Sequence, residues 1–251
     1  MLYHPYGDRP VPVLLAPHPF GFTAIGNLFG EPSGPRTLNT VPGVVHAARG
    51  AGVAVLTVQS EGARYTGISA GYPPHVASYL LALNQAAQEV PLDLTRVVAA
   101  GLSMGGQEAV LLAALTPAFV RAVAVQNAVL DLIDWYRHLL RQMAPHAQVL
   151  RDEVGGGPRD LIDAWAERSP LEHVSRLAQL GVPIQLRLND VDSIVPARTQ
   201  GRVFAAALAG EGGRVEIIED LPNLDPRDPG RSAHEHVDWD AMIEWLLTQI
   251  E

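Results

Sequence analysis

The 251-residue chain has no cysteine. Disulfides, thiolate nucleophiles and cysteine-held metals are thereby excluded. It has no lysine either: all 18 of its basic residues are arginine. A Schiff-base lysine, the lysine of a phosphate-binding loop and a serine–lysine dyad are therefore ruled out. Any nucleophilic serine here needs a histidine or a carboxylate as its base. Positive charge is scarce, and the formal net charge is −9 at pH 7. That balance argues against nucleic acid or an anionic membrane surface as a partner. No apolar run reaches the ~18 residues of a membrane span. Met1 to Pro10 has neither the basic start nor the apolar centre of a secretory signal, so a cytoplasmic location is expected.

Apolar residues make up 47% of the chain, enough to build one α/β domain over residues 1–251. Apolar runs at 11–16, 53–58, 96–100, 121–126, 182–188 and 214–219 read as strands. Helical patterns fall at 41–50, 74–89, 107–115, 198–209 and 237–249, with Pro42 in the first turn and Gly50 at the end of the first of these. Residues 27–40, rich in Gly, Pro and Asn, read as an irregular excursion. Strand alternating with helix predicts a mostly parallel sheet with helices on both faces. Residues 131–180 break the alternation. They carry Trp135, Tyr136, Trp165 and the Gly155-Gly156-Gly157-Pro158 breaker, and are expected to form a helical cap insertion. In such sheets ligands bind beyond the carboxyl ends of the strands. Phe20, Ser103, Gln126, Asn127 and Asp192 all follow strands and belong to that edge. Asn127 and Trp135 are expected to touch the substrate.

The chain is organised around Gly101-Leu102-Ser103-Met104-Gly105-Gly106, set between a strand and a helix. Gly-x-Ser-x-Gly in that context is a nucleophile elbow. The turn is tight enough that Gly101 and Gly105 must lack side chains, and it leaves the Ser103 hydroxyl exposed. The helix that follows favours negative charge beside that hydroxyl. A serine nucleophile needs a base and a group to orient the base. Acid candidates lie in Asn189-Asp190-Val191-Asp192-Ser193, just after a strand. Histidine candidates lie in Ser232-Ala233-His234-Glu235-His236, read as a loop before the last helix. The same stretch can be read as a His-x-His metal site, though no third ligand cluster is evident. A non-catalytic binding module with a relic triad is a further reading.

These residues resemble an α/β-hydrolase, and most of all the catalytic domain of the prolyl oligopeptidase family. The resemblance rests on Asp93-Leu94-Thr95-Arg96-Val97 before the elbow, on Glu167-Arg168-Ser169-Pro170-Leu171, and on Val182-Pro183-Ile184 with Asp192-Ser193-Ile194-Val195-Pro196. It covers about residues 90–236. It implies an α/β-hydrolase fold and a Ser103–Asp192–His234 triad. The acid of the family stands four residues before the proline, which selects Asp192, with Asp190 as alternative. The histidine follows a small residue, which selects His234, with His236 as alternative. The implied oxyanion hole takes its N–H groups from Met104 and from Phe20, with Gly21 as alternative, since Pro19 has none to give. His18 is expected to hold that loop.

The implied activity is hydrolysis of a small acyl substrate, an ester before a peptide, with no metal or organic cofactor. A serine peptidase or aminoacyl hydrolase is the alternative, and an oligomer is compatible with the sequence. The chain departs from the family in three places. The family's propeller is not expected in it. Its early antiparallel strands are shortened or absent. Ser60-Glu61-Gly62-Ala63-Arg64 matches the Arg-Gly motif of relatives poorly.

Overall fold

In a computed structural model, all residues are described except 33–39, 61, 65, 117, 118 and 220–225. The first half of the chain forms β1 (Leu2–Tyr3), β2 (Val11–Leu15), α1 (Ala24–Phe29), β3 (Gly30–Pro32), β4 (Thr40–Pro42), α2 (Val44–Ala51), β5 (Ala54–Leu56), α3 (Pro73–Glu89), β6 (Leu92–Leu102) and α4 (Met104–Leu115). The second half forms β7 (Val120–Gln126), α5 (Leu132–Arg141), α6 (His146–Val154), α7 (Ile162–Glu167), a 3-10 turn (Pro170–His173), α8 (Val174–Leu180), β8 (Ile184–Leu188), α9 (Gly201–Gly210), β9 (Val215–Glu219), α10 (Pro229–Glu235) and α11 (Trp239–Thr248).

The main sheet runs β1-β5-β2-β6-β7-β8-β9, and only β1 is antiparallel to its neighbour. The antiparallel edge strand β1 has two residues. Side chains alternate faces along each strand. Val13 and Leu15, Val97 and Ala99, and Val123 and Val125 join a core with Tyr79, Leu83, Leu111 and Phe204 from α3, α4 and α9. Leu14, Val98, Ala100, Ala122 and Ala124 join a second core with Val44, Met242, Ile243 and Leu246 from α2 and α11. Both faces are therefore covered, which is why these strands read as continuous apolar runs. The chain leaves β2 for β5 on one side and returns to β6 on the other. The carboxyl ends of β2 and β6 therefore flank the switch point, where a crevice is expected.

Several sequence readings are corrected. Part of the excursion at 27–40 is ordered: α1 extends to Phe29, and β3 pairs with β4 in a ribbon of its own; residues 33–39 lie outside the described set. Pro42 belongs to β4, not to the helix, and the helix continues through Gly50 to a left-handed Gly52. The central strand starts earlier than the apolar run at 96–100: β6 opens at Leu92, which pairs with Val11. The stretch around His234 is helical, not a loop: Asp228 caps α10 by accepting from Arg231 N, and Pro229 fills its first turn. Between residues 131 and 180 lie α5 to α8. Among the described residues no helix is long and apolar enough to cross a membrane.

Candidate active site

The elbow follows from close packing at its glycines. A Cβ on Gly101 would collide with the backbone of Gly105, and one on Gly105 with the Pro17 carbonyl. Ser103 between them takes φ 57° and ψ −123°, a conformation that non-glycine residues rarely adopt. It is held there by Ser103 N donating to Gln126 O at 3.0 Å and by Ser103 O accepting from Gln107 N at 3.1 Å and Val129 N at 3.2 Å. Ser103 is only 4% exposed and lines a pocket, so its hydroxyl lies inside a cleft and not at the surface the sequence suggested.

The structure brings Ser103, His234 and Asp192 together. The His234 Nε2 atom is 3.0 Å from Ser103 Oγ, and His234 Nδ1 is 2.8 Å from Asp192 Oδ2. A carboxylate only accepts, so Nδ1 carries the hydrogen and Nε2 faces the hydroxyl with its lone pair. The other oxygen of Asp192 accepts from Ile194 N at 2.7 Å and Val195 N at 2.9 Å, which fixes the carboxylate. Asp190 faces solvent and pairs with Arg202 at 2.8 Å, so it does not reach the histidine. His236 lies at the C-cap of α10 and is not among the pocket-lining residues. Among the described residues no three His, Asp or Glu side chains are grouped as a metal requires, and both ring nitrogens of His234 are engaged.

The pocket has a volume of about 190 Å³. Phe20, Phe22, Leu102, Trp135, Leu139 and Ile194 give it an apolar wall beside Ser103. His146, Arg231 and Glu235 give it a polar one. Arg231 Nε donates to Glu235 Oε1 at 2.6 Å. Burial, and then the Arg231 charge, lower the His146 pKa from its ordinary value. A larger cleft of about 670 Å³, lined by Arg121, Pro183 and Arg214 among others, lies at the opposite, amino-terminal edge of the sheet, away from Ser103.

Met104 opens α4, so its N–H has no carbonyl four residues back within the helix. Phe20, in the loop after β2, lines the pocket beside Ser103. His18 is 1% exposed, and its Nε2 accepts from Ser60 N at 3.0 Å. Its Nδ1 therefore carries the hydrogen and donates to Pro19 O at 3.1 Å, which ties down the loop after β2.

Asn127 does not line the pocket. Its amide is spent on backbone, donating to Ala233 O at 2.9 Å and His234 O at 3.4 Å and accepting from Asn189 N at 3.2 Å. This corrects the substrate-contact reading of Asn127. Trp135 does line the pocket, and its Nε1 donates to Ile194 O at 2.9 Å. Trp165 and Tyr136 are instead core of the helical segment, with ring centroids 4.8 Å apart. The Arg168-Ser169-Pro170 stretch braces this segment. Arg168 Nη1 donates to Glu153 Oε1 at 3.2 Å and to Ser69 O at 3.0 Å. The fully buried Glu153 also receives Ala63 N and the Thr66 hydroxyl, each at 2.8 Å. Of the poorly matching stretch 60–64, Glu61 lies outside the described residues.

Sequence reading missed Phe22, Leu139, His146, Ile194, Arg231 and Glu235 at the pocket, and Glu153 behind it. The apolar spacing Leu132, Trp135, Tyr136 and Leu139 marks the inward face of α5 and was the available signal for Leu139. Asp228-Pro229 was the signal for α10.

No protein-family model and no curated protein matches the sequence. Solved structures do match. The acylaminoacyl peptidase of Pyrococcus horikoshii superposes with a TM-score of 0.69 at 14% identity, over 99% of this chain and 39% of that one. The S-formylglutathione hydrolase of Agrobacterium tumefaciens gives 0.66 at 15%, over 100% and 89%. A thermophilic esterase of Thermogutta terrifontis gives 0.60 at 19%, over 98% and 88%. The fold is that of the α/β-hydrolases. In fold, the neighbours agree with the resemblance drawn from the sequence. The chain spans about two fifths of the length of the acylaminoacyl peptidase it matches.

Proposed function

We propose that the protein is a serine hydrolase of acyl bonds and that carboxylic esters with a short acyl group are its favoured substrates. The observation that carries this reading is the continuous line Ser103 Oγ, His234 Nε2, His234 Nδ1, Asp192 Oδ2, with links of 3.0 and 2.8 Å, opening on a pocket. In this reading Ser103 Oγ attacks the acyl carbonyl while its proton passes to His234 Nε2. Asp192 stabilises the imidazolium that forms. The Phe20 and Met104 N–H groups hold the negative oxygen. His234 then returns the proton to the leaving alcohol. A water enters, gives its proton to His234, and releases the acid and the free serine. Residues 131–180 act as a cap over the site within the single domain 1–251.

The modest, largely apolar pocket supports a short acyl group. The Thermogutta esterase holds propionate, in line with that reading. An ester needs less protonation of its leaving group than an amide. The likeness to an acylaminoacyl peptidase favours a second reading, release of an aminoacyl group. Turnover of p-nitrophenyl esters of graded chain length is to be measured beside aminoacyl-p-nitroanilides, with fluorophosphonate labelling of Ser103. Labelling with a preference for short esters supports the first reading. A preference for anilides replaces it with the second. An unlabelled serine overturns both.

A further inference from the structure

Two adjacent residues at the carboxyl end of β7 touch all three elements of the proposed triad. The Gln126 carbonyl holds Ser103 N at 3.0 Å, and its side-chain oxygen accepts from Asp238 N, the cap of α11, at 3.2 Å. Asn127 reaches the other two. Its Nδ2 donates to the carbonyls of Ala233 and His234 at the end of α10, at 2.9 and 3.4 Å. Its Oδ1 accepts from Asn189 N at 3.2 Å. Asn189 in turn opens the loop that presents the acid: its carbonyl accepts from Asp192 N at 3.1 Å and its Oδ1 accepts from Val191 N at 3.1 Å. One amide side chain therefore bridges the helix end that carries the base and the turn that carries the acid.

Resting on the serine-hydrolase reading, we propose that Asn127 is a positioning residue that sets the distance and angle between Asp192 and His234. The residue type fits the task. The position needs one group that donates twice and one that accepts, on a short side chain. Asn127 also has φ 45°, a left-handed conformation that asparagine tolerates better than most side chains. Aspartate would keep the size and the backbone tolerance but turn an acceptor toward two carbonyls. Glycine would keep the backbone and remove the bridge. Asn127 is 3% exposed and absent from the pocket wall, so its loss acts on the rate of chemistry and not on substrate binding.

The test compares wild type with Asn127→Gly and Asn127→Asp. A fluorescent fluorophosphonate counts reactive sites, kcat and KM for p-nitrophenyl acetate are measured per reactive site, and proton NMR follows the downfield Nδ1 proton of His234. The expected result is a per-site kcat about 10–100-fold lower in both variants, an unchanged KM, and a shifted or lost downfield proton. A merely structural role would lower the number of sites and leave the rate of each site and its proton signal alone. That outcome overturns the proposal, as does a loss confined to KM. If neither variant unfolds cooperatively, Asn127 is a folding determinant and the proposal falls too. Should wild type take no label, the hydrolase reading fails by itself, and the proton signal alone decides on Asn127.

Discussion

Replacing Asp192 by asparagine tests the proposed mechanism most sharply, because the structure dictates which way the new amide must face. Asp192 Oδ1 accepts from Ile194 N and Val195 N, and Oδ2 accepts from His234 Nδ1. An asparagine has one oxygen for these two sides. Facing it to His234 would leave its NH₂ against two backbone donors, and each unmet donor costs about 1–3 kcal/mol. Facing it to the two amides sacrifices a single contact, that to the imidazole, so this orientation wins. The NH₂ then points at Nδ1, which must become an acceptor, and the ring hydrogen moves to Nε2. The ring can no longer take the Ser103 proton. The expected loss in kcat is about 10⁴-fold, or about 5 kcal/mol of barrier. The melting temperature should hardly change, since the two loop hydrogen bonds survive. Asp190→Asn is the control: that side chain is 63% exposed and pairs with Arg202 at the surface, so activity should stay near wild type. The assay is p-nitrophenyl ester hydrolysis per titrated site. Retention by Asp192→Asn of more than about a tenth of the rate, against the 10⁴-fold expectation, or greater damage from Asp190→Asn, refutes the reasoning.

Ser103→Ala and Ser103→Gly should both lose ester turnover. The glycine variant should be the more stable of the two, because strained non-glycine backbone costs of order 1–3 kcal/mol; a more stable alanine variant in thermal melts contradicts the backbone argument. His234→Ala should remove activity and fluorophosphonate labelling, while His236→Ala keeps most of both; a reversed pattern transfers the base to His236. Stability should also depend on pH through His75 and Glu108, 3.5 Å apart with side chains 10% and 2% exposed. Burial opposes the charged ring most strongly of any single influence, but the Glu108 carboxylate and the more distant Glu153 together outweigh it, so the His75 pKa is raised. That stabilisation is complete below the unfolded pKa and is lost as pH rises through the folded one. The gap in melting temperature between wild type and His75→Gln should therefore be widest in mildly acidic buffer and shrink with rising pH, and a widening gap rules the pair out as its cause.

The sequence was most readable where local chemistry admits a single solution. The elbow needs glycine at 101 and 105 because backbone atoms fill the space a Cβ would take, and that constraint is visible as a motif. The strands were readable because both faces of the sheet are covered, which turns β2, β6 and β7 into plain apolar runs. The choice of Asp192 over Asp190 came only through family resemblance, since both follow the same strand. What stayed hidden depends on contacts between segments far apart in the chain. Nothing near Glu153 announces that it will hold loop residues some ninety positions away. The pocket wall draws on the loop after β2, on α5, α6 and α10, and on the acid loop, and no spacing rule joins those. The α10 helix was misread because seven residues with two breakers at their start carry almost no periodicity.

Asn127 was misassigned for a physical reason. Polar residues at the carboxyl edge of a parallel sheet are candidates to meet a ligand, but the same edge must also anchor the loops that leave it. Ser103 and Asn127 follow neighbouring strands and both have positive φ without being glycine. Strain of order 1–3 kcal/mol at each is a large share of a stability of about 5–15 kcal/mol. It persists because Ser103 N bonds to the end of β7 and Asn127 N bonds to Arg187 O in β8, each at 3.0 Å. The strained positions are thus pinned across three adjacent strands, β6, β7 and β8. In the proposed mechanism Ser103 and His234 take part of their geometry from that cross-strand link, beside the loop bonds from Ile194 N and Val195 N that fix Asp192. A loop substitution that spares these bonds should leave the triad distances intact, whereas loosening β7 should disturb all three groups together.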